Sequence, residues 1–68
     1  MKSWKPEFLI DGKWCGNAIR FATYEEAYRN ARMKFMVWTI PTDCRAVQSE
    51  DPVNYRLEED GTLTEVKS

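Results

Sequence analysis

The chain contains no histidine. That removes the side chain most often used as a general acid or base near neutral pH, and the commonest neutral metal ligand. Cysteine is scarce too: Cys15 and Cys44 are far apart and lack the paired spacing of a zinc or redox motif. Two thiols without a histidine make neither a zinc site nor a Cys/His nucleophile pair. The reading is therefore no cofactor, no metal and no enzymatic activity. Cys15 next to Lys13, or Cys44 next to Arg45, would be the starting points for any activated thiol. Both are read instead as small core residues.

Long apolar runs are missing as well. No stretch approaches the ~20 apolar residues of a membrane span, and Met1-Lys2-Ser3-Trp4-Lys5-Pro6 has no apolar leader. A soluble cytoplasmic protein with reduced thiols is expected. Glycine and proline number three each, and no repeat or linker-like tract is present. The 68 residues are read as one domain, 1–68. A domain of this size buries only about 60% of its unfolded surface. The aromatics, three each of Trp, Tyr and Phe, are thus a large share of what can be buried.

Charge is unevenly placed. Residues 1–34 carry seven Lys/Arg against four Asp/Glu, or +3; residues 35–68 carry three against seven, or −4; the sum is the net −1. Such asymmetry can steer a partner or pair two copies head to tail.

One helix organises the pattern, from Tyr24 to Trp38. Thr23-Tyr24-Glu25-Glu26 fits a capping box, and Arg29, Arg32 and Lys34 follow where the helix dipole tolerates positive charge. Tyr24, Ala27, Tyr28, Ala31, Phe35 and Trp38 form an apolar stripe about 100° wide. Met33, Met36 and Val37 lie opposite that stripe. Either the helix ends near Met36, or the C-terminal segment covers them, or they form an exposed apolar patch of the kind that marks interaction sites.

Around the helix lie strands. Met1 to Lys5 reads as a loose lead-in, with Trp4 tucked against a sheet edge. Glu7–Ile10, Asp11-Gly12 and Lys13–Cys15 form the clearest hairpin, with a type I′ turn pairing Ile10 with Lys13, Leu9 with Trp14 and Phe8 with Cys15. Gly16-Asn17 reads as a bulge or bend before the strand resumes over Ala18–Phe21. Cys44–Ser49, Val53–Leu57 and Thr62–Val66 read as three further strands, with turns at Glu50-Asp51-Pro52 and Glu58-Glu59-Asp60-Gly61. Asn17 and Asn54 are read as satisfying local backbone groups. The fold class is α+β: a single antiparallel sheet made of a β-hairpin and, after the helix, a three-stranded meander, packed on one face by one helix.

Asp11-Gly12-Lys13-Trp14-Cys15-Gly16-Asn17-Ala18, continued by Arg20-Phe21-Ala22-Thr23 and by Asp51-Pro52-Val53-Asn54-Tyr55, resembles a group of small bacteriophage and prophage proteins with no assigned activity. The resemblance covers most of the chain. It implies a phage or mobile-element origin and carries no functional residues with it.

The expectation for function is a small non-enzymatic protein-binding module acting on a host protein or on itself, as a homodimer. Trp14, Arg20, Met33, Met36 and Val37 are the expected contact residues. The alternative is nucleic-acid binding by Lys5, Lys13, Arg20, Arg29, Arg32 and Lys34, with Trp4, Trp14 and Tyr28 as stacking platforms. The slightly negative overall charge weighs against it. A minor variant is an acidic nucleic-acid mimic formed by Glu50, Asp51, Glu58, Glu59, Asp60 and Glu65.

Overall fold

The computed structural model of the protein describes residues 3–66. Two strands, β1 (Ser3–Ile10) and β2 (Lys13–Gly16), precede the helix α1 (Tyr24–Val37); β3 (Asp43–Ser49), β4 (Tyr55–Leu57) and β5 (Leu63–Glu65) follow it. The strands form antiparallel sheets and the helix packs on the larger one, so the α+β class holds. The sheet is not single, however. A three-stranded sheet has the order β2-β1-β3, and β4 and β5 make a separate hairpin.

The first turn follows from its two residues. Asp11 and Gly12 both have positive φ, 50° and 76°, as a type I′ turn demands. The register is the expected one: Ile10 with Lys13, Leu9 with Trp14, Phe8 with Cys15. The lead-in is not loose. Ser3, Trp4 and Lys5 belong to β1, which is the central strand, while Met1 and Lys2 lie outside the described residues.

Pro6 in a central strand needs a physical reason, because it has no N–H to donate. Trp4 exchanges both main-chain hydrogen bonds with Phe21, at 2.8 and 2.7 Å. Residues alternate along an antiparallel strand, so Trp4, Pro6, Phe8 and Ile10 turn their backbone groups towards β2 and Phe21. The β2 ladder ends at Gly16 opposite Glu7, and the chain next meets β1 at Phe21 opposite Trp4. Pro6 sits at that interruption, where no donor is required. The expected strand Ala18–Phe21 shrinks to this one bridge, because Asn17 bends the chain by accepting the Ile19 N–H at 3.0 Å.

The meander fails for a comparable reason. After β3 the chain does not turn back beside it but crosses the Ser3 end of the sheet. Ser3, fully buried, donates its hydroxyl to the Asp51 carbonyl at 2.7 Å. The chain re-emerges on the far side, where Asn54 and Tyr55 donate their N–H groups to the Arg20 carbonyl. Arg20 ties the crossing to the bend. Its Nε donates to Ser49 Oγ and Asp51 Oδ2, both at 3.1 Å, and Nη1 donates to the carbonyls of Asn17 and Ile19.

The helix begins as expected. Thr23 Oγ1 accepts the Glu26 N–H at 3.2 Å and donates to Glu26 Oε1 at 2.9 Å. The other oxygen of Glu26 accepts the Leu57 N–H at 3.0 Å, so the cap also fastens β4. Ala27 and Ala31 are fully buried, and their small side chains let the helix settle close to the sheet. The buried stripe is narrower than the periodicity suggests. Tyr24, Tyr28 and Trp38 keep between 37% and 45% of their surface exposed. Tyr24 stacks on Tyr28 and meets Trp4 edge-on, while Trp38 meets Phe8 edge-on. The core is in two parts. Phe8, Ala31 and Cys44 pack with Ile10 and Phe35; Phe21, Ala27 and Leu57 pack with Trp4, Ile19, Ala46, Tyr55 and Leu63. Cys44 is thus a core residue, but Cys15 is exposed at the end of the hairpin, where no layer covers β2.

Asn30 is the polar residue buried on the inner face of the helix, and its Oδ1 has no hydrogen-bond partner. An unpaired buried amide oxygen costs about 1–3 kcal/mol. Asn30→Leu should therefore stabilise the fold by about 1 kcal/mol, read as a higher urea midpoint with an unchanged m-value. A lower midpoint would mean that the amide is needed where it stands.

Candidate functional site

The surface that most resembles a docking site is the C-terminal end of α1 and the loop that leaves it. The helix runs to Val37, and Trp38 closes it in extended conformation, donating its N–H to the Lys34 carbonyl at 2.9 Å. Two tethers then hold the loop to the sheet: the Trp38 ring on Phe8, with centroids 5.4 Å apart, and the Thr42 N–H on the Leu9 carbonyl at 2.9 Å. Pro41 is buried between them. The side chains left outside are apolar. Met36 is 77% exposed, Val37 83% and Ile40 63%. Lys34, Val37 and Trp38 line a shallow groove there. Scattered apolar residues are ordinary on a surface; several within one turn and its exit loop, held on a pinned backbone, are not.

The rim of this patch is basic. Among the described residues no carboxylate lies within ion-pair distance of Arg32 or Lys34. The acids of the hairpin turn are engaged elsewhere. Arg56 and Thr64 hydrogen-bond the Glu58 carboxyl and hold its pKa below the ordinary range, and the Thr62 amide does the same for Asp60.

The five expected contact residues do not form one surface. Met36 and Val37 lie together on the patch. Met33, one turn earlier, is 43% exposed and leans on the β4–β5 turn, where a Cβ on Gly61 would fall 2.4 Å from its Cε. Trp14 lies on the open face of the sheet, with the Arg45 guanidinium 4.0 Å over its ring. Arg45 is in turn held by buried Glu7, at 2.7 Å, and Glu7 also meets Lys5. Arg20 is a clamp rather than a contact: its side chain is only 14% exposed and its donors are directed inward. Ile40, Trp38 and Lys34 complete the patch and were not among the expected residues. The signal for Ile40 was an apolar residue in an otherwise polar exit loop, Thr39 to Asp43.

Several of the residues read as a nucleic-acid surface are engaged within the chain. Lys5 and Arg20 are paired with carboxylates, Arg29 donates to the Glu59 carbonyl, and Tyr28 has one face stacked on Tyr24. Among the described residues, no group of three or more His, Cys, Asp or Glu is placed to hold a metal ion, and no helix is long and apolar enough to cross a membrane. No protein-family model, curated protein or solved structure matches the chain.

Proposed function

We propose that the chain is a small non-enzymatic protein-binding module whose contact surface is the apolar end of α1: Met36, Val37, Trp38 and Ile40, rimmed by Lys34 and Arg32. The observation that carries this reading is the exposure of Met36, Val37 and Ile40 on a backbone fixed by Trp38 and Thr42. A rigid apolar patch binds without first ordering a loop, which lowers the cost of association. Cations at the rim that meet no carboxylate among the described residues favour a partner whose apolar surface is bordered by carboxylates. Given the resemblance to phage and prophage proteins, the partner is a protein of the bacterial host.

Tagged protein used to capture partners from bacterial lysate tests this. A host protein held in stoichiometric amount through nuclease treatment, and lost in Met36→Glu with an unchanged circular dichroism spectrum, is the expected result. Capture that disappears with nuclease, or that survives both Met36→Glu and Val37→Glu, would remove the reading. Both residues are more than three-quarters exposed, so neither change should shift the urea midpoint by more than about 0.5 kcal/mol equivalent.

A further inference from the structure

We infer that β3 is the pairing edge for a second copy of this chain, joining two three-stranded sheets into one continuous sheet across a two-fold axis at Ala46.

The direction of the backbone groups carries the argument. Trp4 exchanges its hydrogen bonds with Phe21, on the side away from β3. Ser3, Lys5, Glu7 and Leu9 therefore face β3, and their partners Ser49, Val47, Arg45 and Asp43 face back. Cys44, Ala46 and Gln48 must then turn their N–H and C=O groups to the outer edge. The Cys44 N–H agrees: it is met by the Asp43 carboxylate at 2.8 Å rather than by β1. Among the described residues no strand lies beyond β3. The β4–β5 hairpin is on the opposite side, next to Arg20.

Natural edges carry devices that prevent pairing: short length, proline, lysine, bulges or an outward charge. This strand has seven residues, no proline and no lysine, and an unbroken register with β1. Its one cation, Arg45, is drawn over Trp14 and Glu7 on the open face. The other edge, β2, is four residues long and is already blunted.

A second copy fits this edge better than an arbitrary strand because the edge is self-complementary. With Ala46 on the axis, the two Ala46 residues exchange hydrogen bonds, and each Gln48 N–H donates to the opposite Cys44 carbonyl. The Cys44 N–H can stay on Asp43. Arg45 then lies opposite the partner's Val47, and Asp43 opposite the partner's Ser49, so no like charges meet. Moving the axis to Arg45 would set the two guanidinium groups against each other, which disfavours that register. This surface is separate from the apolar end of α1 and does not depend on it.

Sedimentation equilibrium of the full chain, together with amide exchange at two protein concentrations, tests the assignment. The expected mass is twice that of the chain, and exchange at the Ala46 and Gln48 amides should slow as concentration rises. Gln48→Pro removes one outward donor at an exposed edge position without touching the β1 ladder, and should halve the mass. Met36→Glu should leave the mass doubled. A monomer at all concentrations overturns the proposal, as does a dimer in which the Ala46 and Gln48 amides stay unprotected. Protection of these amides only when a different protein is added would likewise replace the second copy with a foreign strand. If Gln48→Pro does not fold, the exchange measurement on the unaltered chain decides.

Discussion

Phe21→Ala should leave no cooperative unfolding transition at 25 °C. Phe21 is fully buried and belongs to the larger of the two core clusters, together with Ala27 of the helix and Leu57 of the hairpin. Removing an aromatic side chain from such a site costs about 3–5 kcal/mol. A domain this small has a total stability of about 3–5 kcal/mol from a single core. The loss is of the same size as what holds the chain folded. Its backbone bonds to Trp4 do not rescue it, since they form only when the bridge is already in place. Tryptophan fluorescence during urea titration is the measurement. Phe21→Leu should keep a cooperative transition at a lower midpoint. A Phe21→Ala protein with a midpoint near that of the parent would show that the cluster is not the centre of the fold.

Asn54→Ala should release the β4–β5 hairpin while the main sheet stays folded. The Asn54 side chain accepts the Arg20 N–H at 2.7 Å and donates to the Ala18 carbonyl at 2.8 Å. Losing both, with half-buried groups left unmet, costs about 2–3 kcal/mol. No ladder joins β4 to the larger sheet; besides the packing of Tyr55, Leu57 and Leu63 in the Phe21–Ala27 cluster, the remaining hydrogen-bonded attachments are few: the Asn54 and Tyr55 N–H groups on Arg20, the Glu26 carboxylate on Leu57, and Arg29 on the Glu59 carbonyl. Amide exchange should accelerate at Tyr55, Leu57 and Val66 well before it does at Glu7 and Arg45. Uniform acceleration along the chain would mean that hairpin and sheet open as one unit.

Some of this architecture is written in short-range chemistry. The Asp11-Gly12 turn and the Thr23–Glu26 cap depend on residues within four positions of each other, and both were legible, down to the register of the hairpin. What could not be read depends on distant partners. Trp4 looks like part of a lead-in until it is known that the neighbouring strand leaves at Gly16 and returns at Phe21. Arg20 looks like a free surface cation until the crossing chain brings Ser49 and Asp51 to it. The three-stranded meander fails because the same crossing takes residues 50–54 past the end of the sheet. At the candidate site, the helical period set Met36 and Val37 opposite the core stripe but left open whether the C-terminal segment covers them; the structure leaves both exposed. Trp14 was not, because its ring is covered by Arg45 from a strand 31 positions later.

The central position of β1 has a consequence for how the chain is made. β1 is synthesised before the helix but gains its second neighbour only when Asp43 to Ser49 have been synthesised, and its Ser3 end is sealed only by Asp51. Until then, only the hairpin and the helix can form from nearby residues, and each leaves an apolar face open. The sheet and core must close in a late, concerted step whose contacts are far apart in sequence, a topology that slows folding and prolongs exposure of those faces. A nascent chain stalled just short of β3 should therefore be a good chaperone substrate, and one stalled well past Asp51 a poor one.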